Sequence, residues 1–370
     1  MRRGRCAMIE ASISPARGAA TVTSQPVRTR TDACAEPLCT AYDTALLDLD
    51  GVVYIGGAAV EHAASALGGA RSRGMRLAYV TNNALRSPAV VARQLSDMGV
   101  PAEPADVITS AQAVARLVAE EVPPGARVLV IGGEGLTGPL RERGLVVVES
   151  ADDDPAAVVQ GHGGPGMPWE RLMEAAFAVQ RGLPWFASNA DVTIPTPRGI
   201  APGNGAALEV VRLATGAEPR VAGKPGTPMH RETIIRTGAR RPLVVGDRLD
   251  TDIEGAYNGG VDALLVLTGV TRAAELLAAG PRHRPAYVAA DLRGLSDAQP
   301  EVAVAGDGGA PVARCGGWSA SAGGAEGELR LDGEGQQLDG LRALCAAAWT
   351  YAGEGSCGLD PGKALARLGL

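Results

Sequence analysis

From Ala45 to Leu292 the chain keeps switching between two hydrophobic periods, and that switching restricts the fold more than any other feature. Short apolar runs rich in branched residues alternate with segments of helical spacing. Expected strands cover 46–49, 76–81, 107–108, 242–245, 262–267 and 286–288. Expected helices cover 61–73, 87–98, 109–121, 228–237, 251–258 and 273–279. Local chemistry marks their ends. Gly74 and Gly99 follow two of the helices, and Ser87-Pro88 opens another with a cap and a first-turn proline. Alternation of this kind predicts the α/β class, a doubly wound parallel sheet with helices on both faces.

Three segments stand outside that pattern. After Pro123-Pro124-Gly125 a second strand–helix series begins: strands at 127–131, 146–148, 156–160 and 185–188, helices at 136–143, 169–181 and 206–215. It reads as an inserted α/β module. Its Arg-Val-Leu-Val-Ile-Gly-Gly run at 127–133 lacks a full Gly-x-Gly-x-x-Gly and reads as strand, turn and helix. Beyond Pro300 the chain turns to Gly, Ala and Ser. Weak strand signals at 302–305, 313–320 and 328–331 precede a helical pattern at 338–352, a small β/α appendage. The first 43 residues show neither period and are expected to be a disordered extension. The expected division is 1–43 extension, 44–121 with 217–297 as a discontinuous core domain, 122–216 as the insert and 301–370 as the appendage.

A net charge of −6 without a basic stripe argues against nucleic acid as a partner. No apolar run approaches the roughly 20 residues of a membrane span. Cys6, Cys34, Cys39, Cys315, Cys345 and Cys357 show no Cys-x-x-Cys spacing. They are expected to be free thiols in a cytoplasmic protein, not zinc ligands.

The first strand runs into Leu47-Asp48-Leu49-Asp50-Gly51. Alternate side chains of a strand share a face, so both acids start on one side. Open α/β sheets place ligands at the carboxyl ends of their strands. Two acids so close repel unless a cation separates them or one keeps a proton. Three later segments end strands in the same way: Thr81-Asn82-Asn83, Gly223-Lys224-Pro225, and Gly246-Asp247 with Asp250 and Asp252. Together they offer a nucleophilic carboxylate, a proton carrier, hydroxyl and N–H groups for phosphoryl oxygens, a fixed positive charge, and oxygen ligands for a hard cation.

In this order the motifs Asp-Leu-Asp-Gly, Val-Thr-Asn-Asn, Gly-Lys-Pro and Gly-Asp-x-x-x-Thr-Asp resemble haloacid dehalogenase-type phosphatases of class IIA, the NagD-like group. The resemblance covers about Ala45 to Leu295. It extends into the insert through Ser-Asn-Ala-Asp-x-Thr-x-Pro at 188–195, Pro-Gly-Asn-Gly at 202–205 and Ala-Thr-Gly at 214–216. It implies a Mg²⁺-dependent phosphatase with the insert as a cap. Asp48 would be the nucleophile and Asp50 the general acid/base. Asp48, the carbonyl of Asp50 and Asp247 would hold Mg²⁺, with Asp252 supporting them. Thr81, Asn82 and Lys224 would bind the phosphoryl group. In the cap, Asn189, Asp191, Thr193 and Ile194 would meet the leaving group. Ile194 stands where relatives acting on pyridoxal phosphate carry histidine, and nothing aromatic is offered there. A small polyol phosphate, with glycerol 3-phosphate first, is therefore the expected substrate; the alternative is a broad sugar- or nucleotide-phosphate range. A non-catalytic binding module is disfavoured because the motif set is complete. The resemblance also admits a homodimer joined through the cap and a tail of truncated acetyltransferase type. The run Gly333-Glu334-Gly335 is a poor pyrophosphate loop, so no productive acetyl-CoA binding is expected.

Overall fold

The computed structural model describes residues 27–196, 198–306, 311–323 and 328–370. A short helix α1 (Leu38–Ala41) leads into strand β1 (Thr44–Leu47), whose side chains are all buried. A small hairpin follows, β2 (Tyr54–Ile55) with β3 (Ala58–Ala59), then α2 (Ala63–Ser72), β4 (Arg76–Thr81), α3 (Pro88–Asp97), β5 (Val107–Thr109) and α4 (Ser110–Ala119). Ser87 caps α3, accepting from the Val90 N–H, with Pro88 in the first turn. Thr109 and Gln112 form a reciprocal capping box on α4.

The inserted segment runs β6 (Arg127–Ile131), α5 (Glu134–Glu142), β7 (Val146–Val148), β8 (Ala157–Gln160), α6 (Trp169–Gln180), β9 (Trp185–Ala187), the hairpin β10 (Thr193–Thr196) and β11 (Gly199–Pro202), α7 (Asn204–Thr215) and β12 (Arg220–Val221). Its parallel sheet has the order β12-β9-β8-β6-β7. The hairpin pairs Thr193 with Pro202 and Thr196 with Gly199. Sequence patterning missed it, because two prolines and a glycine mask the alternation of such short strands.

The chain then returns through α8 (Thr227–Thr237), β13 (Pro242–Gly246), α9 (Glu254–Gly259), β14 (Asp262–Val266), α10 (Ala273–Leu277) and β15 (Tyr287–Ala289). The main sheet is parallel in the order β15-β14-β13-β1-β4-β5. Successive strands leave β1 toward β4 on one side and are rejoined at β13 on the other. This is a topological switch point, where the crevice beyond the strand ends is open. The two sheets share one apolar cluster: Leu46, Val80, Ile108 and Val114 with Val128, Leu136, Leu140 and Phe186. The fully buried carboxylate of Glu232 in α8 adds ionic ties to the partly exposed Arg116 of α4 and to Arg143 just past α5.

Two expectations need correction. Residues 27–43 do not form part of a disordered extension; residues 1–26 lie outside the described ones. The Tyr42 hydroxyl donates to Asp262 at 2.7 Å, Arg28 pairs with the same carboxylate, and Cys34 bridges Gln299. Leu38 is completely buried. These contacts are distant in sequence and polar, so no local period announced them. The appendage is β16 (Ala303–Ala305), β17 (Val312–Cys315), β18 (Trp318–Gly323), β19 (Glu328–Gly333), α11 (Gln337–Ala352) and α12 (Gly362–Leu368). The strand expected at 313–320 is instead two strands turning at Gly316-Gly317, with Cys315 opposite Trp318 and Gly316 at φ +54°. Facing residues share a face, so the buried set shifts from Ala313 and Cys315 before the turn to Trp318, Ala320 and Ala322 after it. The small Ala and Ser residues on both strands give too little contrast to reveal the shift. The antiparallel sheet and α11 close one apolar cluster with Leu265, Leu276 and Val288 of the main domain.

Candidate active site

β1, β4 and β13 are neighbours in the sheet, so Asp48, Thr81 and Asp247 leave it at the same edge. Lys224 arrives there from the loop before α8. Its ammonium donates to Asp48 Oδ1 at 2.7 Å and to Asp252 Oδ1 at 2.7 Å. It also reaches the Val80 carbonyl at 3.3 Å. Asp252 sits on a widened helical turn, Leu249–Ile253, that precedes α9. That turn points the side chain back toward β13, where its Oδ2 accepts the Arg248 N–H at 3.2 Å.

Asp48, Asp247 and Asp252 each bring a carboxylate oxygen within 4.8 Å of the other two. Asp247 is fully buried. Its Oδ2 accepts the Val270 N–H at 2.6 Å, while Oδ1 has no partner among the described residues. Two glycines make room for it: a Cβ on Gly51 would lie 2.5 Å from Asp247 Oδ2, and one on Gly269 1.9 Å. Gly51 also turns at φ +85°, which favours glycine. Burial pushes the Asp247 carboxyl up to about 6, with Asp252 adding to it. Burial does the same to Asp252, also to about 6, against the pull of Lys224. Burial likewise raises Asp48, with Lys224 opposing. Burial works to lower Lys224, but Asp252 and Asp48 reverse this and hold it firmly charged. Three crowded carboxylates, one ammonium and an orphaned oxygen form a donor set that fits a hard divalent cation.

Asp50 stands apart from this cluster at the rim, open to solvent. Loss of surrounding water still raises its carboxyl, while the Tyr54 hydroxyl, 3.3 Å away, and the exposed Arg86 oppose the rise. Thr81 Oγ1 accepts the Asn83 N–H at 3.1 Å. Asn82 was expected to meet phosphate, but its side chain is fully engaged within the protein. Its amide donates to Asp191 Oδ1 at 3.1 Å and to the Lys224 carbonyl at 3.2 Å, and its Oδ1 accepts the Lys224 N–H at 2.8 Å. Asn189 was expected to meet the leaving group; it is buried and donates to the Asn82 carbonyl at 2.8 Å. Asp191 is half-buried. Burial raises its carboxyl, with the Asn82 amide, Lys224 and Arg248 opposing. Thr193 is exposed and Ile194 half-buried on β10. Tyr54, Arg86 and Arg248 were missed by sequence reasoning, although each lies within four residues of a motif acid or amide.

The sheet order and this edge define a class, the haloacid dehalogenase-like hydrolases. Residues 45–146 match the family haloacid dehalogenase-like hydrolase and residues 221–295 the HAD-hydrolase-like family. The chain belongs to that family. Residues 315–370 match the GCN5-related N-acetyltransferase-like domain. Among its relatives, D-glycerol 3-phosphate phosphatase of Mycobacterium tuberculosis is 42% identical over 315 residues, 83% of this chain and 86% of the relative. Acid sugar phosphatase of Staphylococcus saprophyticus is 37% identical over 243 residues, 64% of this chain and 90% of the relative. The crystal structure of the M. tuberculosis glycerol phosphate phosphatase with magnesium superposes with a TM-score of 0.78 at 41% identity. That match covers 85% of this chain and 92% of that one.

Proposed function

We propose that this chain is a Mg²⁺-dependent phosphatase that hydrolyses a small phosphomonoester, glycerol 3-phosphate first. The observation that carries the reading is the Lys224 ammonium held 2.7 Å from both Asp48 and Asp252 beside the partnerless oxygen of Asp247. Asp48, the Asp50 carbonyl and Asp247 would hold Mg²⁺, and Asp252, whose oxygens are already taken, would keep Lys224 in place. When bound, the ion neutralises phosphoryl and carboxylate oxygens that would otherwise repel.

Asp48 attacks phosphorus in line and the ester bond breaks, leaving an aspartyl-phosphate. Asp50 gives its proton to the departing alkoxide; its raised carboxyl favours holding that proton. Asp50 then takes a proton from the water that attacks the aspartyl-phosphate, which returns Asp48 and releases phosphate. Lys224 stabilises charge on the transferring group. Thr81 accepts from Asn83, so its own hydroxyl hydrogen stays available for a phosphoryl oxygen.

On this reading residues 122–216, expected as the insert, form a cap that extends through β12 (Arg220–Val221), which pairs with β9 and not with the main sheet. The core is then 44–121 with the chain from 222 to 297, and residues 301–370 are an added domain. Asp191 in the cap loop offers an acceptor for the hydroxyls of a polyol leaving group. The match to acid sugar phosphatases favours a second reading, a broader sugar-phosphate range. Trp169, Met173 and Phe177 form an exposed stripe, spaced by four, along α6, which supports a homodimer through the cap. The free thiols among the described residues support a cytoplasmic location. The Trp318 indole donates to the Gln336 carbonyl at 3.0 Å, tying β18 to the start of α11.

Phosphate release from a panel of glycerol, sugar and nucleotide phosphates, with and without Mg²⁺, tests the function. Glycerol 3-phosphate should rank first and EDTA should abolish turnover. Glycerol 3-phosphate ranking last would reject the substrate, and no Mg²⁺-dependent release from any member would reject the phosphatase.

A further inference from the structure

The amide of Asn82 joins three parts of the chain that sequence keeps far apart. It sits at the end of β4, directly after Thr81. It holds Asp191 of the inserted segment through one N–H. It grips the main chain of Lys224 at two points, accepting that residue's N–H at 2.8 Å and donating to its carbonyl at 3.2 Å. The main-chain carbonyl of Asn82 accepts the Ser110 hydroxyl at 2.6 Å and the Asn189 side-chain amide at 2.8 Å. The loop it touches is itself pinned by the start of α7. Asn204 donates to the Asn189 carbonyl at 2.7 Å and the Gly205 N–H to the Asp191 carbonyl at 2.8 Å.

The joint has no slack. A Cβ on Gly223, the residue before Lys224, would lie 2.6 Å from Asn82 Oδ1, 2.6 Å from the Ser188 carbonyl and 3.1 Å from the Asn189 Cβ. The lysine loop, the phosphate-side amide and the loop 188–191 therefore close on one another only when all three are seated. We propose that Asn82 is a positioning residue that couples docking of the loop 189–191 to the placing of Lys224 against Asp48. The lysine then reaches its working position only when that loop is down. This rests on the phosphatase reading above and reassigns Asn82 from phosphate contact to the joint behind it.

A double-variant cycle on kcat tests the coupling, with acetyl phosphate as probe because it has no hydroxyl for a cap loop to recognise. Misplacing a catalytic group by about 1 Å costs about a hundredfold in rate, so Asn82→Ala should lower kcat by about that factor. Asp191→Ala, which removes only the loop side of the joint, should lower it about tenfold. The double variant should be no slower than Asn82→Ala alone, because the second change finds nothing left to uncouple. Gly223→Ala should reproduce the defect by wedging the joint without removing any polar group. Far-UV circular dichroism and thermal unfolding of each variant separate this from loss of fold. Asp191→Ala leaving acetyl phosphate turnover at the parent rate, multiplicative losses in the cycle, or a fully active Gly223→Ala would each overturn the coupling. A parent enzyme that turns over neither acetyl phosphate nor any member of the phosphate panel would instead remove the phosphatase reading, and this inference with it.

Discussion

Replacing Asp247 with Asn tests the site by charge alone. The amide keeps the shape, and its oxygen can still accept the Val270 N–H that Oδ2 accepts at 2.6 Å. What disappears is one negative charge from a cluster of three carboxylates around one ammonium. Burial, reinforced by Asp252, pushes the Asp247 carboxyl from the ordinary 3.8 up to about 6. A rise of that size corresponds to about 3 kcal/mol between the two protonation states. Because the folded-state value lies above the unfolded one, the folded chain binds the extra proton between those limits. The associated stability is complete below about pH 4 and is lost as the pH climbs through about 6. Metal-free protein at about pH 7.5 therefore bears the whole cost, and Asp247→Asn should be more stable than the parent by about 3 kcal/mol in EDTA. At about pH 4 the advantage should vanish. Saturating Mg²⁺ should invert the ranking. A cation at about a thousand times its Kd adds about 4.1 kcal/mol to the parent, more than the deficit of about 3 kcal/mol, and nothing to a variant that cannot bind it. Urea unfolding at both pH values, with EDTA or Mg²⁺, reads all four conditions. A variant less stable than the parent in EDTA at the higher pH, or equal stabilisation of both by Mg²⁺, would refute the reasoning.

Asp48→Asn should cut phosphate release by about four orders of magnitude with its circular dichroism unchanged, since a nucleophile is lost and the volume kept. Glu232→Gln should destabilise the chain by about 1.5–3 kcal/mol in urea unfolding at neutral pH, because a buried carboxylate loses charge-assisted bonds while solvent screens the partly exposed arginines left behind. Burial resists ionisation of Glu232, but Arg116 and Arg236 hold its carboxyl below the usual range. Its contribution is therefore present above the unfolded value and lost as the pH falls through the folded one, so the gap between parent and variant should narrow on acidification. Trp349→Ala should cost about 3–5 kcal/mol. It empties a fully buried site between α11 and α10 and strands the Leu276 carbonyl, which the indole N–H meets at 3.1 Å. A change below about 1 kcal/mol would show that the tail does not share the main core.

Sequence by itself determined the alternation that makes a doubly wound sheet, and the strand-end residues Asp48, Thr81, Lys224 and Asp247. Both are local matters: period is written along the chain, and a motif acid needs only its own strand to carry it to the sheet edge. It left undecided which polar side chains face outward to a ligand and which are used inside. Asn82 and Asn189 look like ligand contacts in one dimension. They become internal joints only because β4, the loop after β9 and the lysine loop converge. The same holds for Arg28 and Tyr42, whose shared partner Asp262 lies more than 200 residues along the chain. A hydrogen bond between distant residues has no period, so tertiary packing alone assigns the partner.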